Sequence, residues 1–267
     1  MHSYKKLFGG VALCAVLILG QHARAGDLSV TLSDTDGREA TALFSVSGSD
    51  LIVTLTNSSS SDVMVPVDVL TGVFFNSSVD ITGMSKDSAV VGPTSTVHFD
   101  SDDTVGAGDS VASEWAYRDD LSQGFSGTTV QYGISSTGLG LFADGDRFDL
   151  SSPSLDDPDA PNGLNYGILS AGDDITTGNQ KVTGGGSNEV PLIKNAVVFT
   201  LGGVGAGFDP MTQLSDVVFQ YGTDLSEPHL PPNGDHPNGE IPEPVTATLS
   251  LIAIGAVGLG SLRRRRA

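Results

Sequence analysis

Leu28-Ser29-Val30-Thr31-Leu32, Ala42-Leu43-Phe44-Ser45-Val46 and Leu51-Ile52-Val53-Thr54-Leu55 are the runs that decide the fold. In each, an apolar side chain recurs at every second position, so one face of the segment is buried and the other is wet. That period belongs to strands. Gly48-Ser49-Asp50 separates the second run from the third and predicts a hairpin turn. Val63, Val65, Val67 and Val69 carry the alternation on, with Pro66 on the polar side. A proline donates no hydrogen bond to a ladder, so this run is expected to be an edge strand.

Further strands are expected at Val73 to Phe75, Thr96 to Phe99, Thr128 to Tyr132, Val197 to Leu201 and Asp216 to Tyr221. Ser113 to Leu121 is expected to make one short turn of helix. No other stretch between the two ends of the chain carries a helical period. Clusters of Gly, Ser, Thr and Asp punctuate the runs at short intervals. The pattern predicts an all-β ectodomain, an antiparallel β-sandwich or jelly roll, with long loops from Ser151 to Gly186.

The ends of the chain read differently. Lys5 and Lys6 precede an apolar stretch from Leu7 to Gly20, and Ala23-Arg24-Ala25 places small residues where a signal peptidase reads them. Residues 1–25 are therefore expected to be a signal helix that is removed, with Ala23 and Ala25 marking the cut. Cys14 lies within it, so the mature chain has no thiol. Residues 26–229 form the ectodomain and residues 230–240 a polar Pro/Gly spacer of roughly 30 Å. Ile241-Pro242-Glu243-Pro244 follows, then an uncharged run from Val245 to Leu262, then Arg263, Arg264, Arg265 and Arg266. As a helix that run would be about 27 Å long, enough to cross a bilayer core of about 30 Å. The four arginines would hold its far end in the cytoplasm.

The order of these last 27 residues, 241–267, closely resembles the sorting signal of exosortase-processed bacterial surface proteins, the PEP-CTERM family. Ile241 stands where that family usually has valine. The resemblance implies processing beside Pro242, Glu243 and Pro244 by a membrane-embedded exosortase, then release or attachment at the cell surface. A second, softer resemblance covers residues 115 to 228. Trp115-Ala116-Tyr117-Arg118, Tyr132-Gly133-Ile134-Ser135, Asn165-Tyr166-Gly167-Ile168 and Phe219-Gln220-Tyr221-Gly222 look like landmarks of one exosortase-dependent subgroup. It implies that this half shares a domain with the strands before it, and brings no activity with it.

Charge narrows the partners. Residues 26–244 hold all 32 acidic side chains against six bases, a net charge of −26. Such a surface repels nucleic acid and anionic lipid alike, and suits cations or solubility. The acidic clusters are Asp34 and Asp36 with Glu39, Asp100 with Asp102 and Asp103, Asp144 with Asp146 and Asp149, and Asp156 with Asp157 and Asp159. Calcium takes about six to eight oxygens, and carboxylates one residue apart on a loop can converge on one ion. Asp144, Asp146 and Asp149 are the candidate Ca²⁺ ligands, because Gly145 permits a tight turn between the first two. The alternative is a solvated turn leading into a strand at Phe148 and Leu150.

Three tyrosines precede glycine, Tyr132, Tyr166 and Tyr221. They read either as strand ends with buried rings or as platforms for sugar rings. Catalysis has little to work with. No Gly-x-Ser-x-Gly occurs, and the mature histidines are His98, His229 and His236. His98 is expected to face solvent from a strand, and His229 and His236 to lie unsupported at the spacer. Gly203-Val204-Gly205-Ala206-Gly207 lacks the spacing and the following long helix of a dinucleotide loop, and is expected to be a hairpin loop.

The expectation is an exported, non-catalytic protein of the cell surface or extracellular matrix, structural or adhesive, transiently anchored in the inner membrane. Its expected partners are signal peptidase, exosortase, the membrane through residues 245–262, and exopolysaccharide. No cofactor is expected beyond the candidate Ca²⁺. The alternatives are a Ca²⁺- or carbohydrate-binding surface module and a secreted glycan hydrolase.

Overall fold

The computed structural model describes residues 26–98, 105–151, 163–177, 182 and 190–232. These are mostly β, in fifteen strands distributed over three sheets. The signal helix expected before residue 26 and the membrane helix expected at 245–262 lie outside the described residues. No helix among the described residues is long and apolar enough to cross a membrane.

Sheet I contains β1 (Leu28–Ser33), β2 (Glu39–Ser47), β3 (Asp50–Asn57), β13 (Ala196–Gly202) and β5 (Ser85–Val91), in that spatial order and all antiparallel. The alternation read from the sequence sets its register. Phe44 pairs with Val53, and Val53 pairs with Phe199, so one inward row crosses the sheet. The turn at Gly48-Ser49 is tight, with Ser47 opposite Asp50 and Gly48 at φ 67°. That left-handed conformation costs glycine little.

Sheet II runs β15 (His229–Leu230), β14 (Leu214–Tyr221), β4 (Leu70–Ser77), β11 (Ile168–Leu169), β12 (Leu192–Lys194) and β6 (Thr96–His98). Off this path β10 (Tyr132–Ser135) pairs with both β4 and β7 (Ala116–Arg118). One pair, β11 with β12, is parallel in a sheet otherwise antiparallel. β8 (Gln123–Phe125) and β9 (Thr128–Val130) form a separate hairpin. Its two-residue turn has Ser126 at φ 45° and Gly127 at φ 93°, the type I′ geometry that matches strand twist.

β4 organises the packing. Leu70 to Phe75 are all buried, which is why Val73, Phe74 and Phe75 follow one another without a polar residue between them and the strand does not alternate. Val73 and Phe75 face the main core, shared with Phe44, Val53 and Phe199 of sheet I. Phe74 faces the other way, into a second cluster with Leu121, Phe125, Val130 and Phe142.

The structure corrects four local expectations. Val63 to Val69 is not a strand: Pro66–Asp68 is a turn of 3-10 helix, and Val63 and Val69 are buried in a third cluster with Leu169 and Leu192. Period two arose there because two valines anchor the ends of a loop. Ser113 to Leu121 contains β7 instead of a helical turn, since pairing with β10 supplies the hydrogen bonds a helix would have made. The glycines from 203 to 207 join β13 of sheet I to α1 (Pro210–Gln213) and then β14 of sheet II, so they form a crossover and not a hairpin. Leu230, expected to open the spacer, is 2% exposed in β15 opposite Phe219. The spacer from 233 onward lies outside the described residues.

Candidate functional site

The candidate calcium loop folds as a turn of 3-10 helix at Asp144–Asp146. Its groups are already engaged. Asp144 accepts from Arg147 Nη2 at 2.6 Å, and Asp146 Oδ2 accepts from the backbone N–H of Ala143 at 2.8 Å. The Gly145 carbonyl accepts from Lys86 Nζ at 3.0 Å. Asp149 lies further on and accepts from both the N–H and the hydroxyl of Ser151, each at 2.7 Å. Asp144 and the Gly145 carbonyl are thus each engaged by a side-chain cation, and the third carboxylate serves a different turn. Among the described residues no group of three or more His, Cys, Asp or Glu side chains could hold a metal ion.

The device of Asp149-Leu150-Ser151 recurs elsewhere in the chain. Asp80-Ile81-Thr82, Asp174-Ile175-Thr176 and Asp224-Leu225-Ser226 repeat it, each carboxylate taking the N–H and the hydroxyl two residues on. Aspartates in such turns replace a backbone partner. The hydrogen bonds from Thr82, Thr176 and Ser226 hold the carboxyls of Asp80, Asp174 and Asp224 below the usual aspartate range. Each of these turns carries the tripeptide Asp-(Ile/Leu)-(Ser/Thr), which reading the acidic residues by cluster density passed over. The tripeptide alone does not decide, since at Asp120-Leu121-Ser122 the carboxylate bonds Arg118 instead. Asp100, Asp102, Asp103, Asp156, Asp157 and Asp159 lie outside the described residues.

The three Tyr-Gly pairs do not form platforms. Tyr132, Tyr166 and Tyr221 are 3%, 2% and 0% exposed, so their rings are part of the core and unavailable to a sugar face. Nor do the glycines share one role. A Cβ at Gly133 would lie 2.6 Å from Phe74 Cδ1 and one at Gly167 2.7 Å from Val69 Cγ1, so both give way to a packed neighbour. Gly222 alone takes a positive φ, 69°.

The histidines are held apart. His98 on β6 and His229 on β15 occupy opposite edges of sheet II, which excludes a shared metal, and His236 lies outside the described residues. His98 is half-buried, and burial, with the charge of Lys194, pushes its imidazole below the ordinary value. His229 is not unsupported as expected: its Nε2 lies 2.8 Å from Ser126 Oγ and its ring packs on Phe125 at 5.4 Å. The pair sits at the exposed tip of the β8–β9 hairpin, not in a cleft that would exclude water from a serine nucleophile.

A dense polar constellation surrounds Arg38, one of the six bases of residues 26–244 and not singled out by the sequence reading. Its guanidinium bonds Asp34 Oδ2 at 2.9 Å, Asp36 Oδ2 at 3.3 Å and Asp68 Oδ1 at 3.0 Å, and its Nε donates to the Val67 carbonyl at 3.2 Å. Burial works against its charge, yet the hydrogen bond it donates to Asp34 and the fields of Asp68 and Asp34 hold its pKa above the ordinary arginine value. Asp68 arrives from the loop that replaced the expected edge strand. Only the tertiary fold brings it to Arg38.

No family model, curated protein or solved structure matches this chain. Its function therefore rests on the residues themselves. Ala23, Ala25, Pro242, Glu243, Pro244 and Arg263 to Arg266, the expected processing and orientation residues, lie outside the described residues.

Proposed function

We propose that this chain is an exported structural or adhesive protein of the cell surface or extracellular matrix, without catalytic chemistry, processed by an exosortase in a PEP-CTERM-like manner. The observation that carries the reading is the order at 242–266: Pro-Glu-Pro, an uncharged run long enough to span a bilayer, and four consecutive arginines. Plain tail anchors share the last two parts but not the first. In this reading Ala25 precedes one cut and Pro242-Glu243-Pro244 flanks the other, while the run 245–262 anchors the chain between them.

The ectodomain is read as an antiparallel β-sandwich of sheets I and II. Phe44 against Phe75 and Trp115 against Phe199 support that arrangement, since each pair joins residues from the two sides of one core. A structural role is supported by how the acidic residues are used. Many cap turns or ring Arg38, leaving a net charge of −26 over residues 26–244 that favours solubility and disfavours nucleic acid.

The test is expression of the full chain in a bacterium with and without its exosortase, with intact mass measured in each fraction. The expected product with the enzyme starts at Gly26, ends near residues 242–244 and lies at the surface or in the medium. Without the enzyme, the chain is expected to stay in the membrane with its tail. A full-length chain in the cytosol of both strains would sink the proposal.

A further inference from the structure

Sheet I ends on β1 at one side and β5 at the other, and the two edges are finished differently. The outer groups of β5 are largely taken. Val91 donates to the Asp109 carbonyl at 2.9 Å, and the Ala89 and Val91 carbonyls accept from Val111 and Gly108, each at 2.9 Å. Its other half carries Lys86 and Asp87, and its pairing with β13 shifts register between Thr200 and Leu201. Charges and bulges of this kind keep an edge from templating another chain. In sheet II the edge strands β15, β6 and β7 have two or three residues each. β1 has six, pairs with β2 without a shift, and contains no charge and no proline.

The outward side of β1 follows from its hairpin. The turn into β2 closes with the Asp34 N–H on the Arg38 carbonyl at 3.1 Å. Antiparallel pairs alternate between bonded and non-bonded, so Leu28, Val30 and Leu32 bond β2, while the N–H and C=O of Ser29, Thr31 and Ser33 point outward. Among the described residues no hydrogen bond reaches those outward groups. The side chains of the same three residues are exposed. The inward ones are incompletely covered: Leu32 is buried, but Leu28 and Val30 are only half-buried against the main core.

We infer that β1 pairs with β1 of a second copy of this chain, antiparallel about a two-fold axis through Val30, so that two five-stranded sheets become one. The strand's own sequence selects this partner and register. Outward groups must meet outward groups, which restricts the register to steps of two, since a step of one turns every apolar side chain to the wrong face. Centred on Val30, Leu28 lies opposite Leu32 of the second copy and Val30 opposite Val30. Both half-covered side chains thereby gain an apolar neighbour. Ser29 lies opposite Thr31. Asp27 falls opposite Ser33 and Asp34 opposite Gly26, so no two acids meet, although residues 26–244 carry a net charge of −26. An unrelated strand has no such built-in match. One strand pair is a small interface, so the dimer is reversible and concentration-dependent. The inference does not depend on the sorting signal or on processing.

Sedimentation of the full-length chain in detergent, from about 1 to 500 µM, tests the pairing, with melting midpoints as the check on folding. A reversible monomer–dimer equilibrium is expected. Thr31→Pro removes an outward N–H that β2 does not use, and otherwise loses only the exposed hydroxyl contact with Thr41 at 2.8 Å. The variant should fold, and its dimer should be weaker by at least about tenfold. Ser29→Glu combined with Thr31→Glu sets like charges opposite each other where 29 meets 31 of the second copy. It should weaken the dimer similarly, with raised salt restoring part of the loss. Should the proline variant fail to fold, the double variant decides alone, because both its positions are exposed. A chain that stays monomeric, its edge left to water or to a strand of another protein, overturns the proposal. So does a dimer that both variants leave intact, as one held through the run 245–262 would be.

Discussion

Phe44 of β2 and Phe75 of β4 meet edge to face, their ring centroids 5.3 Å apart and their planes at 70°. One ring comes from each large sheet, and both are fully buried. Perpendicular rings at this spacing are the favoured arrangement of two aromatic quadrupoles, so the contact adds to the area it buries. Phe75→Ala should cost about 3–5 kcal/mol, since it empties a site that packed rings cannot refill. Urea denaturation would measure it, and Met211→Ala, at an exposed side chain, should change stability by less than about 0.5 kcal/mol. Equal effects would mean that the sheets do not meet through these rings.

Gly133 sits in mid-strand, where glycine normally weakens pairing. It is there because Phe74 and Leu121 occupy the space of its missing side chain, at 2.6 and 2.8 Å from a built Cβ. Gly133→Ala should therefore destabilise by about 1–3 kcal/mol through overpacking. Gly124→Ala in β8 meets nothing within 4 Å and is the control. Comparable denaturation midpoints for the two variants would refute this account.

Arg38 is only 12% exposed and holds three carboxylates together. Arg38→Met should lose about 2–3 kcal/mol, most of it from leaving half-buried charges without a partner. Adding Asp68→Asn to that variant should restore part of the loss, because one of the stranded charges is then gone. A double-mutant cycle in denaturant reads the coupling, and strict additivity would show that the ion pairs are idle.

Acid should undo the Asp turns. The carboxyls of Asp80, Asp174 and Asp224 titrate below the usual aspartate value in the folded chain. Their contribution is thus complete above about pH 3.9, the unfolded value, and disappears as pH falls through the lower folded values. Replacing all three by Asn keeps an acceptor in each turn but removes the proton linkage. Denaturation midpoints at neutral pH should then change little, while the parent's decline in strong acid should become shallower. An unchanged acid profile would count against the turns as the source.

Calcium should do nothing to the Asp144 loop. Arg147 and Lys86 already supply its positive charge. A ligand of the folded state must raise its stability, so the calorimetric midpoint with millimolar calcium should equal that with chelator. A calcium-dependent rise abolished by Asp144→Asn and Asp146→Asn would reverse the conclusion.

Local chemistry was legible wherever one segment decided its own fate. The alternation at 28–32, 42–46 and 51–55 predicted β1, β2 and β3, and Gly48-Ser49 predicted the turn between the last two. The valines at 63–69 misled, because alternation also arises when a loop buries its first and last residues. β11 and β12 were missed for a related reason: strands of two or three residues are too short to show a period and are held only by their neighbours. The tyrosines were legible as a choice between core and platform, and burial decided it.

Sequence by itself determined the all-β class of this protein, because alternation is a property of consecutive residues, and the address proposed for its two ends likewise rests on consecutive residues alone: the order Pro-Glu-Pro, apolar run, arginines. Which strands became neighbours was a tertiary decision. β13 enters sheet I between β3 and β5, and Asn57, Asp68 and Tyr221 gather beside Arg38 from segments far apart in the chain. The physical reason is that apolar burial is indifferent to sequence distance: once the inward rows of two sheets close on each other, polar groups carried with them meet wherever the packing leaves them.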